Sequence, residues 1–122
     1  MTRAFFYRWG PAILLMAAIF GFSSTPASRL PSFGSVDYFI KKGGHMMGYA
    51  LLALAYKHGF RQLKNSSRWS LVLAVLYALT DEFHQSFVPG RHPSLLDVLL
   101  FDATGAAIAL WLSHRLSARS PD

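Results

Sequence analysis

The segment Trp69-Ser70-Leu71-Val72-Leu73-Ala74-Val75-Leu76-Tyr77-Ala78-Leu79 is apolar enough to enter a bilayer. It runs directly into Thr80-Asp81-Glu82-Phe83-His84-Gln85-Ser86-Phe87-Val88-Pro89-Gly90-Arg91. An aspartate at the centre of a membrane helix costs roughly 2.5–3.5 kcal/mol on insertion scales. A chain keeps such groups only where they face protein or water, and there they mark a functional site by default.

The chain has 122 residues, enough for one domain. Hydrophobic residues make up 52% and charged residues 15%, against roughly 25% charged in soluble domains. Cysteine is absent, which excludes disulfides, thiolate catalysis and cysteine-ligated metals. The net charge of +6 would suit nucleic acid, but the basic residues lie between apolar runs, where they would flank bilayer spans. No nucleic-acid partner is expected. A span needs ~20 largely apolar residues. Four segments qualify, about 4–23, 44–60, 69–88 and 95–113, the second being short and glycine-rich at its start. Turn residues punctuate the chain between them: Pro26, Pro31, Ser32 and Gly34, then Asn65-Ser66-Ser67, then Pro89-Gly90 and Pro93. Val36–Ile40 is expected at the interface. Small residues at Ser23–Ser28 would also suit a signal peptide, but three further spans favour an uncleaved first helix. The expected fold is all-α: a polytopic membrane protein, a four-helix transmembrane bundle forming one domain over residues 1–122.

Orientation follows from Lys and Arg placement. With a cytoplasmic N-terminus, eight of the twelve (Arg3, Arg8, Lys57, Arg61, Lys64, Arg68, Arg115, Arg119) fall inside. Arg29, Lys41, Lys42 and Arg91 fall outside, so both termini are expected in the cytoplasm. Asp37, Asp81, Glu82 and Asp97 then lie in the outer half, Asp102 near mid-membrane, and Asp122 inside.

An α-helix turns about 100° per residue. Asp81, His84 and Gln85 therefore share a face with Tyr77, with Glu82 at its edge. Lys41, Lys42, His45, Tyr49 and Tyr56 form a comparable stripe on the second helix. Asp97 and Asp102 differ by about 140° on a regular helix and should not share one narrow face. Asp102 instead shares a side with the small residues Gly105, Ala106 and Ala109. Expected ion pairs are Arg91 with Asp97 or Glu82, and Lys42 with Asp81. His45, His84, Glu82, Asp81 and Asp97 are residue types that ligate divalent metals. Glu82 and His84 diverge by about 200°, however. The histidines read better as hydrogen-bonded groups, and neither a metal nor another cofactor is expected.

Lys42-x-x-His45-x-x-x-Tyr49, then Asp81-Glu82-x-x-Gln85-x-Phe87-x-Pro89-Gly90-Arg91, then Asp97 and Asp102-x-x-Gly105, resembles the VanZ-like family of small bacterial membrane proteins. Ser23-Ser24-x-Pro26 is similar to the family pattern too. The resemblance covers about Gly21 to Gly105. It implies an integral protein of the bacterial inner membrane and cell envelope, linked to tolerance of the glycopeptide teicoplanin. It also places an Asn or Asp one helical turn after Asp97, whereas Asp102 comes one residue later. Either the helix bulges there or Phe101 takes the expected place.

The residues suggest a polar cavity near the outer face, lined by Lys42, His45, Tyr49, Asp81, Glu82, Gln85, Arg91 and Asp97. One reading is binding of a membrane lipid or lipid-linked envelope precursor, with Lys42 and Arg91 on an anion and Asp81, Glu82 and Gln85 on hydroxyls or amides. A second is an enzyme using Asp81 or Glu82 with His45 in acid–base chemistry, although no nucleophile is evident. A third is a small proton-coupled transporter, which with four spans would work as a homo-oligomer.

Overall fold

The computed structural model describes residues 2–92 and 94–119. The turn expected at Pro93 and the place of Asp122 lie outside the described residues. The described chain is all-helical. Helix α1 is Arg3–Ser23, α2 is Asp37–Gly59 and α3 is Ser66–Gln85. A short α4, Leu95–Asp97, passes through a π-turn, Val98–Asp102, into α5, Ala103–Arg119. The backbone stays helical across both joints, so these three pieces form one C-terminal helix. Two short 3-10 turns, Ala27–Arg29 and Gly34–Val36, link α1 to α2.

Helix α2 packs against α1, α3 and α5. Its inner face supplies Tyr49, Leu52, Ala53, Ala55 and Tyr56, met by Ala12, Ala74, Ala78, Val98, Ala106 and Leu110. The alanines bring the helices close. At Gly105 a β-carbon would lie 2.6 Å from the Met46 carbonyl oxygen, so the α5–α2 crossing admits only glycine. Pro11 cannot donate to the Tyr7 carbonyl, and the His58 ring nitrogen sits 3.1 Å from that oxygen. Arg8 caps the other chain end of this layer, donating to the Gly59 carbonyl at the close of α2.

Around this apolar core the surface carries many large hydrophobic side chains, and a few acids are buried. Leu14 and Phe87 are each 72% exposed, while Asp81 and Asp102 are each 4% exposed. Among the described residues, Arg3–Ser23 and Leu95–Ala118 are helices long and apolar enough to cross a membrane. Helices α2 and α3 fall short of that measure. Helix α2 also begins at Asp37, ahead of the apolar segment 44–60 and within the stretch expected to lie at the interface. Asp37 stabilises that start: it accepts from the Phe33 N–H and pairs with Lys41 at 2.9 Å, a carboxylate at a helix N-terminus with an i,i+4 cation.

Candidate functional site

Every Asp and Glu among the described residues lies toward one end of the helices, where α1 and α3 finish and α2 and the C-terminal helix begin. At the centre is Asp81. Its Oδ2 accepts from the Ser23 hydroxyl at 2.9 Å, the Tyr49 hydroxyl at 3.2 Å and the Gln85 amide at 3.2 Å. Gln85 also donates to Ser23 Oγ at 3.1 Å. These donors come from three helices, and together they offset the desolvation of a carboxylate with no cation beside it. Oδ1 of the same carboxylate is buried and has no partner.

Glu82 faces the next element. Its Oε2 accepts the Ser94 N–H at 2.7 Å, and the Ser94 hydroxyl accepts from the Asp97 N–H, capping α4. Between them runs the turn Val88-Pro89-Gly90-Arg91, closed by the Arg91 N–H on the Val88 carbonyl. Pro89 supplies the fixed φ of its second position, and Gly90 takes φ +77°, which a side chain would resist. This turn aims Arg91 at the end of α1. The guanidinium donates to the Thr25 carbonyl at 3.0 Å and the Phe22 carbonyl at 2.7 Å, and lies over the Phe22 ring. Arg91 thus caps α1 and pairs with neither Asp97 nor Glu82, because the α1 carbonyls reach it first.

Lys42 pairs with Asp97 at 2.5 Å and not with Asp81, which three neutral donors already occupy. The Tyr38 hydroxyl reaches Asp97 at 3.5 Å. One turn on, His45 Nδ1 lies 3.7 Å from Asp102 Oδ1. Lys42 and His45 are three residues apart and share a face of α2, so Asp97 and Asp102 both point to it. The π-turn is the reason. Its i→i+5 bonding inserts the extra residue that a regular helix lacks, correcting the expectation that the two aspartates face apart. Of the two explanations for the late Asp102, the bulge holds. The Thr104 hydroxyl donates to the Leu99 carbonyl at 3.2 Å, satisfying an acceptor within the bulge. At the mouth, Lys41 holds the Asp37 carboxyl below the usual aspartate range, partly opposed by desolvation and helped by the Phe33 N–H.

A cavity of about 210 Å³ opens between these elements. Lys42, His45, Gln85 and Arg91 line it, joined by Leu30, Asp37, Tyr38, Lys41, Gly90 and His92. Of the other sequence candidates, Tyr49 lines a neighbouring apolar cavity, and Asp97 is held against Lys42. Asp81 and Glu82 line neither cavity; Asp81 lies one hydrogen bond behind Gln85 and Tyr49. His84 turns away to α1, stacking on Phe20 at 4.4 Å. It donates to Ser24 Oγ, whose own hydroxyl is used on the Phe20 carbonyl. Tyr77 leaves the stripe as well, donating to the Met16 carbonyl. Ser23 and Ser94 hold the two acids and were not among the sequence candidates. Among the described residues, no three His, Asp or Glu side chains gather as a metal site requires.

No curated protein and no solved structure matches the chain. The family model VanZ/LLP1 matches residues 6–117. That match spans nearly all of the sequence, including every residue of the cavity and of the Asp81 cluster, and the chain belongs to the VanZ/LLP1 family.

Proposed function

We propose that this VanZ/LLP1 protein is a four-helix transmembrane bundle of the bacterial inner membrane that binds the polar head group of a lipid or lipid-linked envelope precursor. The observation that carries this reading is the polar cavity, in which cations, carboxylate, amide and imidazole groups from α2, α3 and the 86–94 loop converge. Lys41, Lys42 and His45 would face an anionic group. Gln85 would take hydroxyls or amides, and Asp81, behind the cavity wall, would hold the Gln85 amide in place through Oδ2. The exposed leucines and phenylalanines around the helices support a lipid setting. With both termini in the cytoplasm, the cavity would open to the outer leaflet, where envelope precursors are used. The glycopeptide tolerance that the family resemblance implies would then arise from occupancy of such a precursor.

Reconstitution followed by native mass spectrometry of retained lipid tests the reading. The Lys42→Ala, Asp81→Asn double variant should lose retention of an anionic lipid that wild type holds. Equal retention by both proteins would count decisively against head-group binding in this cavity.

A further inference from the structure

The polar cavity continues into a larger one. Leu30, Lys41 and His45 also border a hollow of about 480 Å³ between α1 and α2. Beyond that shared rim its walls are hydrocarbon, with Leu15, Ala18 and Ile19 on α1. On α2, Gly44 and Gly48 leave the space open. A β-carbon on Gly44 would meet nothing within 4 Å, and one on Gly48 would first meet Ile19 at 3.8 Å.

The hollow has a direction. On α1 it descends from Phe22 to Leu15, and on α2 from Ile40 to Tyr49. At 1.5 Å per residue the walls run about 10 Å along α1 and about 14 Å along α2, within the ~15 Å hydrocarbon depth of one leaflet. Its polar rim lies at the end that carries the carboxylates, and its apolar end points toward mid-helix. That gradient matches a membrane amphiphile and no water-soluble ligand. A free sugar or phosphate would fill the polar cavity and leave the hydrocarbon walls bare.

We propose that the α1–α2 groove holds one hydrocarbon chain of the lipid whose head group occupies the polar cavity. This rests on the head-group reading above and adds the class of ligand: an anionic, chain-bearing amphiphile. Gly44 and Gly48 are the residues that keep the chain site vacant. Gly44 touches the groove and not the polar cavity, so it separates the two halves of the site.

The probes are dioleoyl phosphatidylglycerol and its chain-free counterpart, glycerophosphoglycerol, offered to the purified protein and read by native mass spectrometry. Wild type should hold the lipid and release the chain-free compound. Gly44→Leu should weaken lipid retention by about ten-fold or more, the effect of denying a few methylenes their burial. A second measurement needs no variant: a phosphatidylglycerol with a mid-chain diazirine, photolysed on wild type, should label residues 15–22 and 40–48. Labels confined to the outer faces of α3 and α5 would overturn the groove. So would lipid retention by Gly44→Leu equal to wild type while Lys42→Ala loses it, and that result leaves the polar cavity standing. Equal binding of lipid and chain-free probe would overturn the chain site alone. Wild-type retention unaffected by either Gly44→Leu or Lys42→Ala would overturn both readings together.

Discussion

At the scale of single residues, the chemistry centres on one asymmetric carboxylate. Three donors crowd Asp81 Oδ2 and none reaches Oδ1. The two oxygens therefore answer to different substitutions. Ser23→Ala removes the shortest of the three bonds, and a hydrogen bond of this kind contributes about 0.5–1.5 kcal/mol. The expected outcome is a lower thermal midpoint in detergent with lipid retention unchanged. Asp81→Asn keeps an oxygen for the three donors and turns the free side from acceptor to donor. It should leave the thermal midpoint within a few degrees of wild type and, by removing the charge that holds the Gln85 amide at the cavity wall, lower lipid retention, both measured on the same preparation. The acids were legible in the sequence because a charge inside an apolar run is an anomaly with a cost. Ser23 entered only through the family pattern and Ser94 not at all, since a serine at a helix end is ordinary and commonly satisfies itself locally. The pairing of Lys42 with Asp97 also escaped, because it depends on how two helices are rotated against each other. Nothing in either helix alone sets that angle.

At the scale of elements, the π-turn and the glycines decide which groups meet. The order of the helices followed from the apolar runs and the turn residues between them, although α2 starts at Asp37, seven residues ahead of its apolar run, and the Pro-Gly turn before Arg91 was readable from its residue types. The face presented by Asp102 was not, because a helical wheel assumes the regular turn that Val98–Asp102 abandons. The glycines likewise look alike in sequence and differ sharply in place. Gly105 lies against the Met46 backbone, and Gly44 against nothing. Overpacking at a close crossing typically costs about 1–3 kcal/mol, while alanine in place of an unconstrained helical glycine stabilises by up to about 1 kcal/mol. Gly105→Ala should therefore lower the thermal midpoint, force α5 off α2 and disturb the His45–Asp102 contact. Gly44→Ala should hold or raise the midpoint. A midpoint for Gly105→Ala at or above that of wild type would show that α5 and α2 do not cross as closely as the backbone places them.

At the scale of the whole molecule, charge is sorted along the helices more sharply than any pair contact explains. The described carboxylates gather at one end, while Arg8, Lys57, Arg61, Lys64 and Arg68 gather at the other. Basic flanks of short loops are retained on the cytoplasmic side, so this sorting predicts a topology and not merely a fold. An even number of crossings puts both termini on the basic side and the 24–36 connection on the far side with the polar cavity. The absence of native cysteine makes a direct measurement possible, because wild type is a blank for thiol labelling. Ser32 and Asn65 are both exposed and stand in opposite connections. In intact cells, Ser32→Cys should react with a membrane-impermeant maleimide, and Asn65→Cys should react only after permeabilisation. The reverse pattern would turn the molecule over and open the cavity to the cytoplasm. A head group taken from the outer leaflet could then no longer be its ligand, although the groove and the Asp81 cluster would keep their geometry. Labelling of both positions from outside would be harder to absorb. It would mean that α2 does not cross, and the carboxylates buried between α2, α3 and α5 would lose the lipid setting that makes their burial informative.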